Sequence, residues 1–349
     1  MAQKMARKMI FFVTFAMVLA LGGWSVYTQA PANPPAAPPA AQGAAPGQGR
    51  GGRGPGAPPY PSKVTMDQMK EWMVKYSNAG RWGADDELGT LHFITPAKRL
   101  EAAKLIKTGE TVSLAKPLVA RTARTQAEPA RVYERGGDES AYATQANQYV
   151  RERQEMEFHG AAMTHYDALC HVSWRGMVYN NRKRTDVFSD LSGCSSLNAV
   201  TAKPGIVTRG VFIELIGTHV TPKDIEAWEK KTGVKIEPGD ALILKTKQRG
   251  SDNAMGTGWD MEMLPFLKEH DISIIGHDGG QDGAQIQGQS LPIHAMTMVA
   301  LGMPLVDHMY LDDLSLYSEK THRYTFMFMT LPLPIKGASG GAVNPIALF

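Results

Sequence analysis

The stretch VFIELIGTHVTPKDIEAWEKKTGVKIEPGDALILKT, residues 211–246, carries the pattern that decides the fold class. Its apolar beginning, residues 211–216, predicts a strand, because a short apolar run rich in β-branched and aromatic residues is typical of buried strands. Thr221 followed by a proline predicts the start of a helix, and Gly233 predicts its end. A Pro-Gly-Asp turn then leads into a second apolar strand, residues 241–246. This order of elements predicts an α/β fold.

The same alternation of helix and strand signals extends over the chain from residue 64 onward. Apolar residues at helical spacing follow a capping box that starts at Thr65, and a second helix begins at Thr95 and Pro96. We further predict strands at 111–115, 272–275 and 305–309, and a helix at 293–301. Residues 121–154 are polar and weakly patterned, which predicts a long excursion or a lid.

The N-terminus has the composition of a secretory signal peptide. Lys4, Arg7 and Lys8 precede an apolar run at residues 10–21, and small residues lead up to Ala30. We interpret residues 1–30 as a signal peptide. An uncleaved membrane anchor remains the alternative, because a proline follows Ala30 directly. Either interpretation places the rest of the chain outside the cytoplasm, as a periplasmic or extracellular protein.

Residues 31–62 consist almost entirely of Pro, Ala, Gly and Gln, which predicts a disordered linker that buries no core. The remaining residues, 63–349, are then the folded domain. Hydrophobic residues make up 43% of the 349-residue chain, enough for a packed core.

Charge excludes one class of partner. The chain has 37 Lys and Arg against 34 Asp and Glu, but five of the cations lie in residues 1–53. Removing these five leaves 32 against 34 over residues 54–349, a balance of −2. We therefore expect no nucleic acid as a partner, and a membrane only through an uncleaved N-terminus.

The chain has two cysteines, Cys170 and Cys194. In an exported protein they could form a disulfide. Cys170 lies inside a histidine-rich motif, and this position favours buried thiols. Sequence alone leaves both interpretations open.

The histidine-rich motif is HGAAMTHYDALCH, residues 159–171. If the middle of it is a strand, His165 and Asp167 project from the same face, roughly 6.6 Å apart. Imidazole nitrogen and carboxylate oxygen are ligands that suit zinc, manganese or iron. A turn through 168–170 would bring His171 over the site as a third ligand or a general acid or base. The alternative is a set of hydrogen-bonded polar residues at a strand end.

Other polar residues also allow two interpretations. Residues 81–86, and His277 with Asp278 after an apolar strand, either line a substrate pocket or form turns. Trp82 and Trp174 either flank an aromatic substrate or pack in the core. The remaining histidines are isolated in sequence, which favours surface or hydrogen-bonded roles: His92, His219, His270, His308 and His322.

The motif resembles the signature H-x-G-T-H-x-D-x-x-x-H of the metal-dependent cyclase and hydrolase family, which includes bacterial kynurenine formamidase and isatin hydrolase. Three further stretches agree with the family in the same order, at residues 81–95, 100–114 and 292–314. The resemblance covers essentially all of the chain after residue 63. It implies one α/β domain of the swivelling β/β/α type, with a mixed sheet or barrel-like core surrounded by helices.

The resemblance also implies a site. Metal ligands fall on His165 and Asp167, the general acid or base falls on His171, and the late histidine falls on His294. Asp307 stands where the family has a glutamate, and the spacing from His294 to the next glycine is one residue longer than in the formamidases. The formamidases have a further histidine at the position of Ala161. We expect His159 to replace it as a ligand.

The activity of the family implies a metal-dependent hydrolase of the arylformamidase type, and the predicted signal peptide implies that this hydrolase is exported. It would cleave a C–N bond of an amide, formamide or lactam, with an aromatic substrate as one option, using a metal-activated water and His171. The expected cofactor is one or two divalent ions per site, Zn²⁺ or Mn²⁺, and the expected assembly is a homo-oligomer. The alternatives are a non-catalytic metal-binding or ligand-binding protein on the same fold, and a metal-dependent lyase or dehydratase.

Overall fold

The computed structural model describes residues 60–118, 130–135, 151–161, 163–251, 257–286 and 288–349. The predicted signal peptide and nearly all of the predicted linker lie outside the described residues. Tyr60–Pro61, at the end of the predicted linker, form a strand that pairs in parallel with Ala284–Gln285. Among the described residues, no helix is both long and apolar enough to cross a membrane.

The described residues contain nineteen strands, many of them short. In chain order they are β1 Tyr60–Pro61, β2 Thr111–Ser113, β3 Ala130–Arg135, β4 Arg151–Met156, β5 His165–Asp167, β6 Met177–Val178, β7 Arg182–Lys183, β8 Phe188–Ser189, β9 Gly193–Cys194, β10 Ile206–Glu214, β11 His219–Val220, β12 Ala241–Lys245, β13 Gly258–Trp259, β14 Ile274–His277, β15 Ala284–Gln285, β16 Leu305–Asp307, β17 Thr325–Thr330, β18 Gly340–Ala342 and β19 Ile346–Leu348.

Nine of these strands form one mixed sheet in the order β18-β5-β16-β14-β12-β10-β17-β19-β2. The four central strands, β16 to β10, run parallel to one another. Antiparallel strands extend the sheet on both sides. The sheet curls so that residues next to β2 and β18, at its two ends, line one cavity of about 340 Å³. The fold is therefore an α/β fold with a half-barrel core, as the sequence predicts.

In the part of the chain that the structure describes, seven helices accompany the sheet. They are α1 Met66–Lys75, α2 Pro96–Ala103, α3 Arg184–Val187, α4 Pro222–Thr232, α5 Met263–Glu269, α6 Pro292–His294, which continues as a π-helix at Ala295–Leu301, and α7 Asp312–Thr321. Short 3₁₀ helices lie at Gly89–Phe93, Tyr179–Asn181 and Ala199–Ala202. The two large apolar clusters of buried side chains include both faces of the central strands: Val211, Ile213, Leu242 and Leu244 belong to one, and Phe212, Ala241 and Ile243 to the other.

The stretch 211–246 folds as its pattern predicts. Residues 211–214 form the last part of β10, which begins five residues earlier, at Ile206. Thr221 caps α4 in a capping box with Asp224, and Gly233 ends the helix with φ 75°. β12 follows and pairs in parallel with β10. All five residues of β12 are buried, which is typical of a parallel strand covered on both faces.

Within and beside the predicted excursion at 121–154, β3 and β4 form an antiparallel pair that is separate from the nine-stranded sheet, and the residues between these strands lie outside the described part. One expectation needs correction. The preference for buried thiols was wrong, because Cys170 and Cys194 form a disulfide with their Cα atoms 6.4 Å apart. The disulfide joins the histidine-rich motif to β9, and no free cysteine remains.

Candidate metal centre

Strand pairing brings the first three site residues together. β5 and β16 are antiparallel neighbours in which His165 lies opposite Asp307. Residues two apart on a strand share a face, so His165 and Asp167 project from the same side of β5. Asp307 projects from that side too, because directly opposite residues of paired strands share a face. The predicted H-x-D pair thus meets a carboxylate from 140 residues further along the chain.

His294 reaches the same place from the end of α6. The residues after it, Ala295–Leu301, form a π-helix that ends at Gly302 with φ 66°. A π-helix closes i→i+5 hydrogen bonds and so holds more residues per turn than an α-helix. The chain from His294 to Gly302 therefore runs through wider turns, and the His294 imidazole lies in the cluster.

The side chains form two groups with metal-binding geometry. One is His159, His165 and Asp167, and the other is Asp167, His294 and Asp307. Within each group the ligand atoms lie within 4.8 Å of one another. Asp167 belongs to both groups. The aspartate at position 307, although shorter than a glutamate, still places Oδ2 3.4 Å from Nε2 of His294.

Asp167 lies at the middle of the cluster and is fully buried. Four imidazole nitrogens approach its carboxylate: His159 Nδ1 at 2.9 Å, His294 Nε2 at 3.5 Å, His165 Nε2 at 3.6 Å and His171 Nε2 at 4.0 Å. Even so, neither carboxylate oxygen has a hydrogen-bond partner among the described residues. A buried carboxylate without hydrogen bonds is costly. Such a carboxylate, facing several imidazole nitrogens, fits a metal ligand.

Further contacts hold the candidate ligands from behind. Asp282 accepts a hydrogen bond at Oδ2 from Nδ1 of His294 at 2.5 Å and at Oδ1 from the backbone N–H of Ile293 at 2.6 Å. Gln281 donates from Nε2 to Oδ1 of Asp307 at 2.6 Å. Met163 accepts at its carbonyl from Nδ1 of His165 at 3.0 Å. Each contact leaves the opposite atom of the ligand facing the cluster, as is usual in metal sites.

His171 lies beside the cluster but in neither group. The predicted turn is present, since the backbone N–H of His171 donates to the carbonyl of Ala168. The His171 ring stacks on the His159 ring at 3.7 Å with an angle of 6°. Its side chain is 23% exposed, so it faces both the cluster and the outside.

The charges of the cluster shift several pKa values. Burial raises the pKa of Asp167, but the surrounding imidazoles, His171 first, outweigh burial and hold it well below its ordinary value. Burial lowers the pKa of His294, and the carboxylates around it, Asp282 first, more than compensate, so the result is well above the ordinary value. Burial lowers the pKa of His171 to about 4, even though Asp167 acts in the opposite direction. Without a metal, His171 is therefore neutral at pH 7.

Sequence reasoning missed some residues of the site. Asp282, Gln281 and Ser339, which contacts His159, carry no motif of their own that would have singled them out. His308, which we interpreted as isolated, stacks against His165 at 5.8 Å. Its adjacency to Asp307 was the available signal.

The other candidate pocket residues make hydrogen bonds and ring contacts within the fold, and Asp278 also lines a smaller cavity of about 210 Å³. Asp86 accepts hydrogen bonds from His92, Tyr179 and the backbone of the 3₁₀ helix that follows. His277 contacts Thr246 Oγ1 at 2.7 Å, and Asp278 accepts from the backbone N–H of Thr246. These contacts join the ends of β12 and β14. The Trp82 ring stacks on His92, and Trp174 packs against the core.

Fold and site together define an α/β protein with a half-barrel sheet and a buried cluster of histidines and aspartates. The Cyclase family model matches residues 87–281, more than half of the chain. This chain therefore belongs to the cyclase family. No curated protein matches its sequence.

Three solved structures are similar to this chain. A crystal structure described as a novel cyclase is 25% identical with a TM-score of 0.69, over 79% of this chain and 99% of that one. Isatin hydrolase A from Ralstonia solanacearum is 17% identical with a TM-score of 0.47, over 68% of this chain and 91% of that one. An isatin hydrolase bound to the product analogue thioisatinate is 17% identical with a TM-score of 0.48, over 72% and 95%. The similarity in fold rests on the first of these three structures.

Proposed function

We propose that this protein is a metal-dependent hydrolase that cleaves a C–N bond in an amide, formamide or lactam. The observation that carries the proposal is the Asp167 carboxylate, which is buried, accepts no hydrogen bond from the described residues and faces imidazole nitrogens on both of its oxygens. Surrounding residues already orient the candidate ligands. Membership in the cyclase family is consistent with the same chemistry.

His165, Asp167 and His159 would hold one divalent ion, and His294 with Asp307 would complete a second position that shares Asp167. Oxygen and imidazole nitrogen together suit Zn²⁺ or Mn²⁺. A bound divalent ion supplies Lewis acidity, which makes water a stronger acid and polarises a carbonyl oxygen.

The protein's own contribution to proton transfer falls on His171. Its ring is neutral at pH 7 and partly exposed, and its Nε2 lies 4.0 Å from Asp167. A neutral Nε2 accepts a proton from the attacking water and can return it to the leaving amine. The buried Asp167 stabilises the imidazolium that forms between these two steps. Stacking against His159 restricts the His171 ring to this orientation.

The substrate is a small molecule. The cavity of about 340 Å³ is lined by residues that include Met163 and Thr164, which directly precede His165. Its volume is within the range of small-molecule pockets. Neither His171 nor any candidate ligand is among the residues that line this cavity, so the proposal of an aromatic substrate rests on the family resemblance.

The location and assembly that we propose rest on other grounds. Export rests on the signal-peptide composition of residues 1–30, and a homo-oligomer rests on the family resemblance. Cell fractionation and light scattering of the purified protein test these two proposals.

The function is tested by metal analysis of the purified full chain, followed by hydrolysis assays with N-formylkynurenine and isatin. Parent, His171→Ala and Asp167→Ala proteins are compared. We expect His171→Ala to keep its metal and to lose about 10²- to 10⁴-fold in turnover, whereas Asp167→Ala loses both metal and turnover. A parent protein without metal, or a His171→Ala protein as fast as the parent, would refute the hydrolase. Metal binding without turnover of any amide would favour a binding protein.

A further inference from the structure

We infer that Ser339 is a positioning residue that fixes His159 as a metal ligand through Nδ1. The inference rests on the proposed metal centre. It starts from two contacts on opposite sides of one ring. His159 Nε2 lies 2.8 Å from the Ser339 hydroxyl, and His159 Nδ1 lies 2.9 Å from Oδ1 of Asp167.

The geometry of the second contact decides what Nδ1 does. At 2.9 Å a proton on Nδ1 could reach Asp167, yet Oδ1 of Asp167 accepts no hydrogen bond from any described residue. An N–H on Nδ1 would thus not be aimed at the carboxylate. His159 and Asp167 instead belong to one group of potential ligand atoms that lie within 4.8 Å of one another, and Nδ1 is the His159 atom that lies 2.9 Å from Oδ1. Nδ1 must then be unprotonated, because a metal ligand donates its lone pair.

This assignment fixes the proton on the other nitrogen. A neutral imidazole with a free Nδ1 carries its hydrogen on Nε2. Nε2 then donates to the Ser339 oxygen, and this hydrogen bond holds both the tautomer and the ring orientation. Ser339 therefore does for His159 what Asp282 does for His294.

Ser339 is itself held firmly. Three consecutive carbonyls of its segment accept backbone hydrogen bonds of 2.9 Å each: Gly337 from Cys194, Ala338 from Ala199, and Ser339 from Ala168. The first of these donors belongs to the disulfide with Cys170.

Gly340, the next residue, permits the close approach. A Cβ at this position would lie 2.1 Å from the carbonyl oxygen of Tyr166 and 2.9 Å from Cε1 of His159. Both distances are too short for any real Cβ. Only glycine lets β18 come this near to β5 and to His159.

His159 needs such support more than the other candidate ligands do. Its side chain is 24% exposed, while those of His165, Asp167 and His294 are at most 5% exposed. It also comes from a loop before β5 rather than from a strand. An imidazole in this position has fewer packed neighbours to restrict its rotamers, so a hydrogen bond donated to Ser339 has more to contribute.

The same three residues allow one rival arrangement. Ser339, His159 and Asp167 follow one another in the order of a Ser-His-Asp triad, in which Ser339 would be a nucleophile. That arrangement requires a hydrogen bond from Nδ1 to Asp167, which the geometry lacks. Covalent labelling separates the two, because only a nucleophilic Ser339 would react with a sulfonyl fluoride.

The test measures Zn²⁺ affinity of the full chain by competition with a chromophoric chelator, for parent, Ser339→Ala and Ser339→Thr proteins. Ser192→Ala is the matched control, because Ser192 is an exposed serine whose hydroxyl contacts only Ser189 among described side chains. We expect Ser339→Ala to weaken Zn²⁺ binding about 10- to 100-fold, Ser339→Thr to restore most of it, and Ser192→Ala to leave it unchanged. In ¹⁵N NMR of the Zn²⁺-loaded parent, the His159 ring should carry its proton on Nε2.

Three results would overturn the inference. Ser339→Ala could bind Zn²⁺ as tightly as the parent while His159→Ala binds it more weakly. The His159 ring could carry its proton on Nδ1 in the Zn²⁺-loaded protein. A sulfonyl fluoride could modify Ser339 in the Zn²⁺-loaded protein. If the parent binds no Zn²⁺ or Mn²⁺ at all, the proposed metal centre fails as well, so the two failures are distinguishable.

Discussion

Replacing Asp282 by asparagine should weaken divalent metal binding without unfolding the protein. Asp282 and His294 are both buried, with side chains 4% and 5% exposed, and their contact is the shortest described around the cluster, at 2.5 Å. In the metal-loaded parent, the carboxylate would accept the Nδ1 proton of His294 and leave the Nε2 lone pair directed towards Asp167 and Asp307. Asparagine can still accept the backbone N–H of Ile293 at its oxygen. Its amide N–H₂ would then face the Nδ1 proton of His294.

Two donors facing each other force a choice on His294. Either the hydrogen bond is lost, or the proton moves to Nε2 and blocks the ligand lone pair. A hydrogen bond to a charged group contributes about 1.5–3 kcal/mol. With 1.4 kcal/mol for each factor of ten, the expected loss of metal affinity is about 10- to 100-fold. This agrees with the usual effect of removing an outer partner of a ligating histidine.

The assay is a Zn²⁺ titration against a competing chelator at fixed pH, with the unfolding temperature of the metal-free protein as the control for folding. Asp282→Glu serves as a comparison that keeps the charge and lengthens the side chain by one methylene. Equal affinity of Asp282→Asn and parent would refute the reasoning. An Asp282→Asn protein that has lost its folded structure before metal is added would show that Asp282 acts on folding rather than on His294.

Three further predictions concern stability. Reducing the Cys170–Cys194 disulfide, which closes a loop with a sequence separation of 24, should cost about 3 kcal/mol; an unchanged denaturant midpoint with dithiothreitol would contradict this. Burial raises the pKa of Asp86, but the hydrogen bonds that the carboxylate accepts lower the pKa by more than burial raises it. The pKa of Asp86 in the folded protein is therefore below its usual value. The stabilisation that ionised Asp86 contributes is present above about pH 3.9 and is lost as the pH falls through the folded pKa. Asp86→Asn should therefore reduce the fall in the free energy of unfolding between about pH 5 and pH 2. Parallel curves for Asp86→Asn and parent would refute this prediction. Lys245 is 1% exposed and contacts Asp312 at 2.7 Å, so Lys245→Met should cost about 3–5 kcal/mol in chemical denaturation; a loss below 1 kcal/mol would indicate that water reaches the carboxylates.

Local patterns predicted the architecture well. The strand and helix signals of residues 211–246 correspond to β10, α4 and β12, because caps, glycines and apolar runs act over a few residues. The bounds of other elements shifted by a few residues: the strand predicted at 272–275 is β14, at Ile274–His277. The helix predicted at 293–301 is present, but sequence could not show that most of it is a π-helix.

The cysteines show where sequence reasoning stops. Whether two thiols pair depends on their separation in space, here 6.4 Å between Cα atoms, and not on their position in a motif. The argument from the motif therefore favoured buried thiols and was wrong.

By itself, the sequence determined that the chain forms an α/β fold and that His165 and Asp167 share one face, because both follow from periods of two to four residues. It also determined, through its motifs, which residues to examine as ligands. Only the tertiary structure decided which distant residues complete the cluster. Asp307 arrives through the pairing of β16 with β5, and Ser339 through the pairing of β18 with β5. Contacts between residues more than a hundred positions apart leave no local periodicity, since they arise only when the sheet curls and its strands acquire neighbours.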